Sequence, residues 1–231
     1  MKRVRTEEIL DSHDCPAHEA AASLRDIGRI NRWFGGVTTT RKLIERAAAV
    51  SGMRYFSVLE VGAGFGEVPR LAARQLARRG ITLEITYLDC MYSHLVEGSR
   101  AVVANGLAIP FRDNAFDLVN CSLFAHHLEP DELAAFAREA MRVSRCALLI
   151  NDLVRHPVHL ALVYAGFPLM RSYVSRVDGV ASVRRSYLPE EMREILSNDD
   201  GGRVEISRNY LYRMGVIVWK TAGQNGNAPA A

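Results

Sequence analysis

Residues 55–61 form a short apolar run that carries Glu60 near its end and passes straight into Gly62-Ala63-Gly64-Phe65-Gly66-Glu67. Three glycines at alternate positions, followed by a helix-like run over 68–79, constrain this chain more than any other feature. Glycine lets a backbone turn sharply and leaves no Cβ between it and a ligand. The start of the helix then aims unpaired N–H groups at the same place. Strand, glycine turn and helix in this order are the grammar of a nucleotide-cofactor loop.

Details decide which nucleotide. A dinucleotide loop reads G-x-G-x-x-G, its third glycine packing the helix close beneath a pyrophosphate. Here the third glycine falls one position early, at Gly66, and Glu67 stands where that glycine would be. A carboxylate there opposes a pyrophosphate. Glu60 at the strand end suits a ligand carrying positive charge. A cofactor with an ammonium and a sulfonium, and no phosphate, meets both conditions. The string E-V-G-A-G-F-G resembles the first motif of the class I S-adenosylmethionine-dependent methyltransferases.

Three further blocks follow in the order that family shows. Residues 81–88 alternate as a second strand and end on Asp89, roughly 20 residues beyond the loop, where an acid accepts ribose hydroxyls. Residues 101–104 read as a third strand leading into Asn105-Gly106-Leu107-Ala108-Ile109-Pro110-Phe111, similar to the family's D-A-x-x-L-P-F. Residues 115–122 resemble its F-D-x-V block, the fourth strand. The resemblance implies cofactor contacts from Glu60, Gly62, Ala63, Gly64 and Gly66, and from Asp89 and Cys90. Asn105 would face the adenine amino group beside Gly106 and Leu107, Cys121 would line the methionine moiety, and Arg29 would reach in from the amino-terminal helix.

Composition bounds the alternatives. With 231 residues, 48% of them hydrophobic, the chain buries a substantial core and is read as one domain over 1–222. A net charge of +3 is too mild to mark a nucleic-acid surface. No run approaches the ~18 apolar residues of a membrane span, and the first residues do not read as a signal peptide. Four scattered cysteines without a C-x-x-C pair point to reduced thiols in a cytoplasmic protein. The small, polar tail 223–231 reads as disordered. Oligomeric state is open.

Chain order gives the architecture. Helices are expected over 16–34, stopped by Gly35-Gly36, and over 41–50. Strands and helices then alternate through a helix at 130–143 and a strand at 147–151, which means a parallel sheet with right-handed crossovers. The segments 204–210 and 214–219 are joined too tightly for anything but an antiparallel hairpin. The expectation is therefore an α/β, Rossmann-like, seven-stranded and mostly parallel sheet with a carboxy-terminal antiparallel hairpin. Between Asp89 and the third strand there is room for only a helical stub at 91–97.

Two regions outside that frame point to an acceptor. Residues 153–187 are far longer than a strand-to-helix crossover needs, and 158–170 is almost wholly apolar. It is read as a cap over the ligand crevice, with Tyr164 and Phe167, together with Arg155 and with Trp33 of the first helix, as acceptor contacts. For chemistry, His126 and His127 follow the fourth strand and Asp152 follows the fifth. Imidazole takes a proton near neutral pH, and a carboxylate orients the ring. In related sugar and phenol O-methyltransferases a histidine and an aspartate at these places are proposed to act so, which implies His126 as base, Asp152 as its partner and His127 as substitute. No metal is expected: His13, Cys15 and His18 lack the fourth ligand of a closed zinc site.

A narrower resemblance rests on 24–32 (L-R-D-I-G-R-I-N-R), 121–128 (C-S-L-F-A-H-H-L), 151–155 (N-D-L-V-R) and 178–185 (D-G-V-A-S-V-R-R). These resemble bacterial small-molecule methyltransferases related to the quinone-biosynthetic enzymes and associated with aromatic polyketide and other secondary metabolism. It implies O-methylation of a phenolic or enolic small molecule. Methylation at carbon or nitrogen, and a non-catalytic cofactor-binding subunit, stay open.

Overall fold

The computed structural model describes residues 1–11, 15–92, 95, 98–197 and 203–220. Its centre is a seven-stranded sheet of β1 (Tyr55–Val61), β2 (Thr82–Asp89), β3 (Ala101–Val103), β4 (Phe116–Ser122), β5 (Ser144–Leu153), β6 (Val204–Asn209) and β7 (Arg213–Trp219). The strand order is β3-β2-β1-β4-β5-β7-β6. The pairs from β3 to β5 are parallel, and β7 is antiparallel to both β5 and β6. The expected sheet and hairpin are both present.

The strands at the centre are apolar on both faces because helices cover both. Leu59 and Val61, Val119 and Cys121, and Leu148 and Ile150 pack on one side with Leu133 and Phe136 of α4 (Pro130–Val143) and Met192 and Leu196 of α7 (Pro189–Ser197). The alternate residues Phe56, Val58, Leu118, Ala147 and Leu149 pack on the other with Leu43, Ile44 and Ala47 of α2 (Gly36–Ser51) and Leu76 of α3 (Glu67–Ala77). This period of two is the pleat of a strand buried on both faces. Phe136 has no exposed surface, and truncating such a ring to alanine costs about 3–5 kcal/mol.

Two boundaries differ from the sequence reading. Helix α2 starts at Gly36, not at 41, because Gly35 turns the chain at φ +83° directly after α1 (Ala17–Trp33). A side chain at Gly35 would also collide with Tyr210, at 2.7 Å. Strand β5 runs from Ser144 to Leu153 rather than over 147–151, since Asp152 and Leu153 pair with Met214 and Arg213 of β7. The tail 223–231, most of the stub at 91–97, and His13 lie outside the described residues.

The long insertion becomes α5 (Pro157–Ala165), a 3₁₀ turn (Phe167–Leu169) and α6 (Tyr173–Arg185). Helix α6 packs on α1 and α5. The amino-terminal segment lies along α6: the Val4 N–H donates to the Arg184 carbonyl at 3.1 Å, and the Ile9 and Leu10 N–H groups donate to the Asp178 carboxylate at 2.8 and 2.9 Å. Among the described residues no helix is long and apolar enough to cross a membrane.

Candidate functional site

One cavity of ≈ 420 Å³ opens at the carboxyl edge of the parallel strands. The glycine loop forms one wall. Gly62 and Gly66 sit at φ +65° and +60°, a region where a side chain is strained. A Cβ at Gly62 would lie 2.6 Å from the Phe124 ring, and one at Gly66 would lie 2.5 Å from the Tyr87 ring. The loop thus combines a tight turn with close packing from beneath, and its backbone is left facing the cavity. At the tip of β2 the Asp89 carboxylate accepts the Gly64 N–H at 2.9 Å and the Met91 N–H at 3.0 Å. Asn105 accepts the Leu107 N–H at 2.9 Å, fixing the turn that brings Gly106 and Leu107 to the wall.

Glu60 forms the floor. It is buried, and Asn120 Nδ2 donates to it at 2.5 Å. Burial pushes its carboxyl up to about 7, against the hydrogen bonds from Asn120 and Ser122. Glu67 pairs with Arg32 and lies over Gly28, tying α1 across the loop.

Residues 59–146 match a family model described as a methyltransferase domain. No curated protein sequence matches significantly. Solved structures do. The plantazolicin methyltransferase BpumL, in complex with a triazolic desmethylPZN analog and SAH, superposes with a TM-score of 0.63 at 12% identity, over 87% of this chain and 91% of that one. An S-adenosylmethionine-dependent methyltransferase from Aquifex aeolicus gives 0.53 at 18% identity, over 77% and 87%. The magnesium protoporphyrin IX methyltransferase from Synechocystis PCC 6803 with bound SAH gives 0.53 at 14%, over 81% and 84%. The family model spans less than half of the chain, and the solved methyltransferases share its fold. The cofactor tested against the site is S-adenosylmethionine. The site fits that group: the cradle at Gly62 and Gly66 has no room for side chains, and its acidic floor suits an ammonium.

Of the residues expected to hold the cofactor, Glu60, Gly62, Ala63, Gly64, Gly66, Asp89, Cys90, Asn105, Gly106 and Leu107 all line the cavity. Cys121 does not. It lies in the core, where burial first, then the charges of Asp152 and Glu60, push its thiol well up. Arg29 is outside as well, paired with Asp26.

Beyond the loop the cavity continues as a second chamber. Leu24 and Ile27 of α1, Val163 of α5, and Met170 and Val183 make apolar wall, and His126 and His127 stand at a polar end. His126 is buried, with Nδ1 2.7 Å from Asp152 Oδ1, and its backbone N–H donates to Asp152 Oδ2 at 3.0 Å. Burial opposes a charge on this ring, but Asp152 and Glu8 outweigh it and raise His126 to about 10. Asp152 is correspondingly lowered, burial opposing and His126 prevailing. Both carboxylates thus favour the charged form of the ring over the neutral one.

Glu8 is the residue that sequence reasoning missed. It is buried at the chamber's polar end, with its Oε1 3.5 Å from His126 Nε2 and its Oε2 3.7 Å from His127 Nε2. Ser182 Oγ donates to it at 2.9 Å. The buried Arg213 also lines the cavity, donating to the Phe34 carbonyl at 3.1 Å and to the amide oxygens of Asn151 and Asn31. Burial lowers its guanidinium to about 10, against the pull of Asp152.

The four expected acceptor contacts lie elsewhere. Trp33 is exposed on the outer side of α1, and Tyr164 is exposed and rests on Phe167. Arg155 is buried, but it donates to the Met1 and Ser186 carbonyls at 2.9 and 2.8 Å and to Glu191 at 2.6 Å. None of the four lines the cavity.

Proposed function

We propose that the protein methylates a hydroxyl oxygen of a small, largely apolar acceptor, a phenol or an enol. S-adenosylmethionine supplies a methyl group already activated by its sulfonium charge. The observation that carries the reading is continuity: the glycine loop and the polar cluster are two ends of a single cavity with apolar walls between them. Apolar walls favour an uncharged ring system, and the cluster gives that ring one polar attachment point. The neighbouring plantazolicin and magnesium protoporphyrin IX methyltransferases carry small-molecule names, which supports an acceptor of that size.

The chain's own residues have three tasks. Asp89 and Asn105 position the nucleoside, and Glu60 pairs with the ammonium. Leu24, Ile27, Val163 and Met170 exclude water and hold the acceptor ring, so that donor and acceptor meet in line. A phenol with a pKa near ~10 must then lose its proton. Asp152 keeps His126 as a fixed cation beside the oxygen, and the Glu8–His127 side of the cluster receives the proton. An electrostatic arrangement fixed beforehand in this way stabilises the developing oxyanion without reorganising.

The test has two parts. S-adenosylhomocysteine should raise the melting temperature by mass action, and NADH should not. A phenol and enol panel with labelled S-adenosylmethionine should then yield a labelled methyl ether, identified by mass spectrometry. A product labelled on carbon or nitrogen would overturn the oxygen assignment. Absence of S-adenosylhomocysteine binding would overturn the whole reading.

A further inference from the structure

The polar end of the chamber brings three metal-binding groups together. The Glu8 carboxylate and the imidazoles of His126 and His127 each offer a ligand atom, all within 4.8 Å of one another. We propose that these three residues form a binding site for a borderline divalent transition metal such as Zn²⁺ or Co²⁺, with its open position towards the acceptor chamber.

Distances come first. The two histidine–carboxylate separations, 3.5 and 3.7 Å, are too long for hydrogen bonds. Each runs to a different oxygen of Glu8, and each is close to the roughly 3.4 Å that bonds of about 2.0–2.1 Å at a tetrahedral angle set between two ligand atoms of one ion.

The second observation is independent. His126 Nε2 is fully buried and makes no hydrogen bond, although its residue is only 2% exposed. Its other nitrogen is pinned by Asp152 at 2.7 Å. A carboxylate behind one ring nitrogen orients the ring and leaves Nε2 facing Glu8, which is how metal-ligating histidines are generally held; an ion there would displace the proton that Nε2 carries in the metal-free protein, since ligands bind deprotonated. His127 is held by its own backbone, whose carbonyl accepts from Arg185 Nη2 at 2.8 Å. Arg185 Nη1 forms a longer ion pair with Glu8 at 3.9 Å while donating to the Thr6 carbonyl at 3.0 Å.

The donor set then indicates the ion. Two imidazoles and one carboxylate favour zinc, cobalt or ferrous iron over magnesium or calcium, which prefer all-oxygen shells. Three protein ligands leave at least one position free, the mark of a site where a metal meets a substrate. That position opens on the chamber and would take an acceptor's oxygen. The inference does not rest on methyl transfer.

The protein, stripped with a chelator and dialysed, is titrated with Co²⁺ and followed by visible absorption. One equivalent should bind with d–d bands and be displaced by Zn²⁺. Glu8→Gln and His127→Ala should each weaken binding roughly 10-fold or more, and Asp152→Asn roughly 10–100-fold through the ring it orients. His18→Ala, on the exposed side of α1, should leave binding unchanged. Circular dichroism of each variant separates loss of a ligand from loss of fold, and a folded His127→Ala or Glu8→Gln decides the matter. Absence of stoichiometric binding, or equal binding in both of those variants, overturns the proposal. Since no methyl transfer is measured, failure here leaves the O-methyltransferase reading standing, and its failure leaves the metal site standing.

Discussion

The cavity has two ends built on opposite principles. The cofactor end is local: β1, the glycine loop, α3 and the tip of β2 contribute contacts from within one stretch, largely through backbone. The acceptor end is assembled from far apart, with Glu8 from the amino-terminal segment, His126 and His127 after β4, Asp152 on β5, and Asp178 and Ser182 on α6. Backbone recognition needs glycines in a fixed pattern and so writes itself into sequence. Side-chain recognition by distant residues leaves no such pattern.

If the two ends are as separate as this, damage to one should spare the other. The largest effect is expected at the acceptor end. Glu8→Gln or His127→Ala should lower kcat roughly 10²–10⁴-fold, the usual range for losing a proton acceptor, while S-adenosylhomocysteine affinity measured by calorimetry stays within about twofold. A parallel loss of cofactor affinity would join the two ends and break the comparison.

Next is Asp89→Ala, which should weaken cofactor binding by about 1–3 kcal/mol, the usual value of hydrogen bonds to a charged group. Single-turnover rates at saturating cofactor should barely change. An unaltered dissociation constant would remove Asp89 from the cofactor's partners.

The pH dependence is smaller. With its carboxyl at about 7, Glu60 is largely protonated in the free protein below that value. A bound ammonium prefers the carboxylate, so cofactor affinity should fall up to about tenfold per pH unit below 7 and level off above it. Glu60→Gln should flatten that slope. The same shift affects folding: a carboxyl raised above its ordinary 4.5 stabilises the fold below that pH, and the contribution is lost as pH rises through about 7. Melting curves from pH 5 to 8 on wild type and Glu60→Gln would register it.

Smallest of all should be Trp33→Ala and Tyr164→Ala. Exposed and outside the cavity, they should change stability by less than about 0.5 kcal/mol and leave the acceptor KM unaltered. A KM raised by either would place the acceptor outside the chamber, on the surface of α1 or α5.

Legibility followed the same division. The succession of strands, the hairpin and every glycine of the loop could be read from pattern, as could the pairing of His126 with Asp152. The outward-facing residues of α5 could not, because a helix apolar all round carries no periodicity to say which face turns in. Trp33 was misplaced for a simpler reason. Leu24, Ile27, Gly28 and Asn31 share the helical face that lines the cavity, and Trp33 is not on it. Glu8 had no signal of its own: Glu7 beside it is exposed, and only docking on α6 chooses between them. A hint did exist on α6, where Asp178, Ser182 and Arg185 repeat at helical spacing as a polar row that needed a partner.

The docking of Glu8 also sets a clock. Its contacts with α6 join residues up to 174 positions apart, so a segment made early is among the last to find its place. At about 5–20 residues per second, many seconds of synthesis pass between emergence of residue 8 and of residue 182. During that interval the glycine loop and its neighbouring strands are already available to fold. A nascent chain can therefore form the half that holds the donor well before it can form the half that chooses an acceptor. Acceptor choice belongs only to the finished molecule.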